Sequence, residues 1–118
     1  MNVFIELNCD LTSPALGTAM GNVGHAYDLV GRHQDALVFL EKTLDFLRRV
    51  LPHNHPHLGS ACTNLSINLY QARDFHRAIE RAREALSIYK ATLPPSHPNI
   101  QKAQQLVRLI EGDLVRRA

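Results

Sequence analysis

Three histidines stand at alternate positions of one short segment, LPHNHPHLGS (residues 51–60), namely His53, His55 and His57. Side chains at alternate positions of an extended chain point to the same side, and neutral imidazole is a common ligand of zinc and copper. A metal site is therefore the first chemistry that this sequence suggests. The alternative is a structural role for the segment, and the organisation of the whole chain bears on that choice.

The composition predicts one ordinary globular domain. The chain has 118 residues, of which 45% are hydrophobic and 20% charged, and its net charge of +2 is too small to favour nucleic acid or an anionic membrane surface. No stretch has the length and hydrophobicity to cross a bilayer, and Glu6 and Asp10 interrupt the N-terminal apolar residues, which makes a poor signal peptide. Two cysteines, Cys9 and Cys62, imply no disulfide framework. We therefore expect a cytoplasmic protein without a nucleic-acid or membrane partner.

The sequence matches itself when it is shifted by 42 residues, and a third, partial copy begins at Pro98. Starting prolines at one fixed period are hard to obtain by chance, so an internal repeat organises the chain. The identical pairs include Pro14/Pro56, Leu16/Leu58, Gly17/Gly59, Asn22/Asn64, Ala36/Ala78, Leu51/Leu93, Pro52/Pro94 and His55/His97.

The second copy of the histidine segment shows what the repeat retains. It reads LPPSHPNIQK (residues 93–102), so that a Leu-Pro-x-x-His-Pro frame stays while His53 and His57 are replaced by Pro95 and Asn99. Proline stops a helix interior but fits its first turn, so the frame predicts the end of one helix and the start of the next. We favour this structural role and expect no metal and no other cofactor. The residues that would cap the starting helices are Ser13, His55 and His97.

Apolar residues at helical spacing divide each copy into two helices. The predicted organisation is a leader at 1–13 with a short helix over VFIEL, repeats at 14–55 and 56–97, and a capping helix at 98–118. The main helices are predicted over 14–29, 34–51, 56–71, 76–93 and 98 to about 115.

Gly24 and Tyr27, with Gly31 at the turn and Ala36 opening the second helix, resemble the tetratricopeptide repeat. The usual form has about 34 residues, whereas the 42-residue length and the Leu-Pro-x-x-His-Pro junction are similar to the repeats of kinesin light chain. The resemblance implies an all-α, right-handed α-α superhelix of two full repeats and a C-terminal capping helix. It also implies a non-enzymatic scaffold that binds a peptide of another protein on the concave face, which is formed by the first helix of each repeat.

Two asparagines are the leading candidates for peptide binding. Asn22 and Asn64 are equivalent by repeat and lie mid-helix, where asparagine is an indifferent helix former, and an amide can donate to and accept from a peptide main chain. The alternative is that both bond between helices or are merely solvated. The other predicted groove residues are His25, Ile67, Tyr70, Lys102 and Gln105, of which the last two could simply be solvated on a capping helix.

An apolar pair distinguishes the first repeat. Val38 and Phe39 correspond to Glu80 and Arg81 in the second copy, and adjacent apolar residues on a surface need cover. The leader residues 3–5 or a second subunit could supply it. The alternative function is therefore a self-associating module, such as a homodimer, or a fragment of a longer array without its own ligand. An enzyme is not indicated, because the sequence has no nucleophile–base arrangement and no Gly-rich phosphate loop.

Overall fold

The computed structural model describes residues 22–24, 26, 27 and 29–117, with Arg117 described by its backbone alone. This part of the chain contains four complete helices: α1 (His33–Val50), α2 (Pro56–Gln71), α3 (Phe75–Thr92) and α4 (Pro98–Arg117). Residues 22–24, 26, 27 and 29 are helical and precede α1. No strand occurs in the described part, so the all-α prediction is confirmed, and the four helices begin and end within two residues of their predicted bounds. The predicted leader, its VFIEL helix, the cap Ser13 and His25 lie outside the described residues.

The two Leu-Pro-x-x-His-Pro frames fold into the same junction. Helices α1 and α3 both end at an extended leucine, where the N–H of Leu51 bonds Leu47 O at 2.9 Å and the N–H of Leu93 bonds Tyr89 O at 2.8 Å. The next helix starts at the second proline of the frame, and the preceding histidine accepts a backbone N–H with Nδ1. These caps join His57 N to His55 Nδ1 and Asn99 N to His97 Nδ1, each at 3.1 Å. The prediction that His55 and His97 cap helices is confirmed.

The turns inside the two repeats are also equivalent. Gly31 has φ 77°, and the residue 42 positions later, Arg73, has φ 65°. In both turns the following residue closes the helix end, since Arg32 N bonds Tyr27 O at 2.8 Å and Asp74 N bonds Leu69 O at 2.9 Å. A left-handed residue after a helix lets the chain reverse and is usually glycine. The predicted break at Gly31 is confirmed, and the second repeat makes the same turn with an arginine.

Helices that follow one another in the chain pack together. The interfaces inside the two repeats are equivalent but are filled by side chains of different sizes. In the second repeat Ser66 Oγ donates to the carbonyl of Ala78 at 2.7 Å, and Ala82 is fully buried. In the first repeat the equivalent positions of Ser66 and Ala82 hold Gly24 and Leu40, and a Cβ on Gly24 would lie 3.5 Å from Leu40 Cδ1. A β-carbon at that distance would make an ordinary van der Waals contact, so the leucine packs closely against the backbone of the preceding helix.

The predicted apolar stripes face the core. Burial of these side chains supplies the main driving force for packing the helices, because isolated helices of this length are marginal in water. No helix among the described residues is long and apolar enough to span a membrane. The buried stripe of α1 comprises Leu37, Leu40, Leu44, Leu47 and Leu51, and that of α4 centres on Ile100, Ala103 and Ile110.

One side of helix α4 is polar, whereas the equivalent side of α2 is covered by α3. Small α2 residues lie against or near α3, whereas the α4 residues 42 positions later are long and polar and reach solvent at least in part. This difference suits a capping helix, whose outer face must be wet. The residues are Gly59, Cys62 and Ser66 on α2 and Gln101, Gln104 and Arg108 on α4.

Candidate functional site

The histidine segment is divided among three different environments. His53 is exposed, His55 is half-buried and caps α2, and His57 is buried with its ring centroid 4.7 Å from that of His55. Burial and the nearby His57 lower the pKa of His55, which keeps its ring neutral and its Nδ1 free to accept. In the part of the chain that the structure describes, no three His, Cys, Asp or Glu side chains are placed to share a metal ion.

Four of the predicted groove residues are solvent-accessible on α2 and α4. Asn64 is half-buried, Ile67 is 39% exposed, and Lys102 and Gln105 are exposed. Each pair shares one side of its helix because three-residue spacing is about one turn. Leu109, which is 48% exposed, joins them on α4. We call Asn64, Ile67, Lys102, Gln105 and Leu109 the groove face.

Leu109 is not among the residues predicted from the sequence for this face, although a signal was available. It lies 42 residues after Ile67, so that the repeat alone makes the two residues equivalent. Asn22, the other asparagine predicted to bind a peptide, is also exposed. The groove face therefore combines the half-buried amide of Asn64 and the exposed amide of Gln105 with two accessible aliphatic side chains and one cation.

Three polar side chains that flank Asn64 on α2 are already bonded within the protein. Ser60 Oγ lies 3.2 Å from Tyr89 Oη, Thr63 Oγ1 donates to Gly59 O at 2.9 Å, and Asn68 Nδ2 donates to Asn64 O at 2.9 Å. The Asn64 side chain itself has no such bond with any described residue. Among these neighbours on α2, Asn64 is therefore the residue whose side-chain donors and acceptor remain available.

Tyr70 lies near the end of α2 rather than in the middle of the groove face. Its hydroxyl donates to Asp113 on α4, and its ring packs at a centroid distance of 5.4 Å from Phe75 on α3. Asp113 also pairs with Arg116. Tyr70 thus joins three helices at one end of the molecule.

A second polar cluster links α1, α2 and α3. Glu84 on α3 accepts from Arg48 on α1 at 2.5 Å and from Arg81 at 2.7 Å. Beneath it, burial raises the pKa of the Cys62 thiol to about 12, and the Glu84 carboxylate adds to the rise. Since the thiolate is the reactive form of cysteine, Cys62 is an inert core residue.

The apolar pair of the first repeat has two different environments. Phe39 is partly buried and its ring centroid lies 6.3 Å from that of Tyr27, whereas Val38 is 49% exposed. Tyr27 therefore supplies cover that the sequence did not suggest. Cover by residues 3–5 lies outside the described residues, and self-association through Val38 and Phe39 stays a prediction.

Paired helices that repeat with identical junctions and turns define the chain as an α-helical repeat protein. The tetratricopeptide repeat family matches residues 15–91, and the chain belongs to that family. Among curated proteins no sequence matches this chain. The family is a non-enzymatic one whose repeats mediate protein–protein interaction.

Proposed function

We propose that this protein is a scaffold that binds an extended peptide segment of a partner protein along the groove face and Asn22. The side-chain amide of Asn64 carries the proposal. It is half-buried and has no hydrogen-bond partner among the described residues, while its neighbours Ser60, Thr63 and Asn68 are bonded within the protein.

The chemistry of the groove face suits a peptide main chain. An amide offers two donors and an acceptor, so Asn64 can bond a peptide N–H and C=O whatever the peptide's side chains are. Ile67 and Leu109 supply apolar contact area, and Lys102 can meet an acidic residue of the partner. Because Asn22 and Asn64 are equivalent by repeat, successive parts of one extended peptide would bond to them in turn.

The test is a peptide-display selection with the full chain, followed by titration of the selected peptides against variants. We expect Asn22→Ala and Asn64→Ala together to weaken binding by roughly tenfold or more, because each lost hydrogen bond contributes about 1 kcal/mol. The matched control is Asn54→Ala, an asparagine exposed in the junction between α1 and α2. Peptides that bind the double variant as tightly as the original chain would overturn the proposal.

We further propose that the repeats are of the kinesin-light-chain type and that the protein acts in the cytoplasm. The 42-residue period and the Leu-Pro-x-x-His-Pro junction support the first statement. The low cysteine content supports the second.

Self-association is the second candidate function, and one observation favours it. Leu29, Val30 and Val38 are 73%, 69% and 49% exposed, whereas the second repeat has Gln71, Ala72 and Glu80 at the equivalent positions. Adjacent exposed aliphatic residues such as Leu29 and Val30 are typical of an interaction surface.

Light scattering over a wide concentration range tests this alternative. A dimer that Val38→Glu converts to a monomer would support it, and glutamate is already tolerated at the equivalent position of the second repeat. Lys42→Glu, at an exposed position of the same helix, is the control for added negative charge. A monomer at every concentration would exclude self-association.

A further inference from the structure

A surface cavity of about 430 Å³ lies where α2 ends, α3 begins and α4 ends. This volume is within the usual range for small-ligand sites, about 300–1,000 Å³. The residues that line it are Tyr70, Gln71, Arg73, Phe75, Asp113 and Arg116.

One wall of the cavity is aromatic and held in place. The rings of Tyr70 and Phe75 are tilted by 56° with centroids 5.4 Å apart, and Phe75 is buried. The Tyr70 hydroxyl donates to Asp113, which restricts rotation of the ring. A rigid pair of rings favours a flat aromatic ligand, which can stack or pack edge-to-face against it.

The cavity carries one uncompensated positive charge. Asp113 accepts from Tyr70 and pairs with Arg116, so these two ionic groups balance each other. Arg73 is exposed and forms no ion pair or hydrogen bond through its guanidinium with any described residue. The carbonyls at the end of α2 are occupied as well, because Asn68, Leu69 and Tyr70 accept the N–H groups of residues 72–74.

Arg73 occupies a backbone conformation that favours glycine. Its φ is 65°, and the first repeat places Gly31 at the equivalent position with φ 77°. A side chain at such an angle is strained, and strained residues concentrate at functional sites. The first repeat also has Asp28 and His33 where the second has Tyr70 and Phe75, so the aromatic pair with an adjacent cation belongs to the second repeat alone.

We propose that this cavity is a binding site for a small aromatic carboxylate. The Arg73 guanidinium binds the carboxylate in a bidentate manner, and the ring of the ligand packs against Tyr70 and Phe75. A single uncompensated guanidinium matches a single negative charge. This site is separate from the groove face and does not depend on peptide binding there.

The experiment is a titration of the ¹⁵N-labelled full chain, followed by amide chemical shifts, with phenylacetate, phenylacetamide and acetate as probes. Phenylacetamide keeps the ring and shape but lacks the charge, and acetate keeps the charge but lacks the ring. We expect phenylacetate to produce saturable shifts at residues 70–75 and 113–116, with at least about tenfold weaker binding of either analogue. Equal binding of phenylacetate and phenylacetamide, or no saturable shift with phenylacetate, would overturn the proposal.

Arg73→Gly is the decisive variant because it removes the guanidinium and suits the backbone angle, so it should remain folded. We expect it to bind phenylacetate no better than phenylacetamide. The control is Arg108→Gln, at an exposed position of α4 that does not line the cavity, and it should bind like the original chain. Retained phenylacetate binding by Arg73→Gly would contradict the site. Asn64→Ala should leave this binding unchanged, which separates the result from that of the peptide experiment.

Discussion

The ring of Tyr89 lies directly against the backbone of Gly59: a β-carbon on Gly59 would be 2.7 Å from Cε1 and 2.9 Å from Cζ of that ring. Real β-carbons do not approach other atoms so closely. The contact sets the separation of α2 and α3, and it explains why this position of α2 lacks a side chain. The Tyr89 hydroxyl, 3.2 Å from Ser60 Oγ, anchors the other end of the ring.

We expect Gly59→Ala to lower the free energy of unfolding by about 1–3 kcal/mol, since the buried ring must shift to admit a methyl group. Urea unfolding followed by circular dichroism measures the change. The first repeat has Gly17 and Leu47 at the equivalent sequence positions, so Tyr89→Leu is the natural partner change.

The double variant Gly59→Ala/Tyr89→Leu should be more stable than the sum of the two single effects predicts, because leucine leaves the space that the ring filled. If the stability changes of the two single variants simply add in the double variant, the Tyr89 ring does not cause the destabilisation by Gly59→Ala.

Arg73→Gly should raise the free energy of unfolding by about 0.5–1 kcal/mol, because glycine adopts a positive φ without steric cost. Gly31→Ala tests the same physics in the opposite direction and should lower stability by about 1 kcal/mol or more. Thermal and urea unfolding of both variants measure the effect. Destabilisation by Arg73→Gly would show that the arginine side chain contributes more than the strain costs.

His55 should make stability depend on pH. Its pKa is lowered in the folded chain, first by burial and second by His57, so the unfolded chain binds the proton more readily. Stability is therefore complete above the ordinary histidine pKa of about 6.5 and falls as the pH drops below that value. Protonation also removes the Nδ1 lone pair that caps α2.

The variant that isolates this effect is His55→Ser, since Ser13 stands at the equivalent position and serine is a good cap. We expect near-equal stability of both proteins at pH 8 and a smaller loss for the variant between pH 6.5 and 5. His53→Ser, at an exposed position of the same segment, should retain the pH dependence of the original chain. Identical pH profiles for His55→Ser and the original would contradict the assignment.

Glu84→Gln should lower the free energy of unfolding by about 0.5–1 kcal/mol, because the pairs with Arg48 and Arg81 are only partly shielded from solvent. The difference should shrink at high salt, where screening weakens the lost attraction. Glu80→Gln is the control, since that side chain is 65% exposed and lies 3.8 Å from Arg81. Equal effects of the two changes would remove any special role for Glu84.

Local features made much of this structure predictable. The helix ends at Leu51 and Leu93 and the caps by His55 and His97 follow from short-range rules of proline geometry and N–H satisfaction. The all-α class follows from the spacing of the apolar residues, and the family assignment from Gly24, Tyr27 and the repeat period. These properties depend on residues close together in the chain or on its internal period.

The long-range contacts were not predictable in the same way. Tyr70 and Asp113 are 43 residues apart, and no rule of local sequence pairs them or creates the cavity beside them. The cover of Phe39 by Tyr27 and the convergence of Arg48 and Arg81 on Glu84 depend likewise on how the helices stack. A helical pattern states which side of a helix is apolar, but not which polar side chains of different helices come within hydrogen-bond distance.

The sequence by itself determined the helices, their junctions and their repetition, because backbone geometry and hydrophobic periodicity act over a few residues. Only the tertiary structure decided which polar groups remain available, such as the Asn64 amide and the Arg73 guanidinium. Availability is a property of the packed chain, since a side chain is free only when no neighbour brought near by folding has already bonded it.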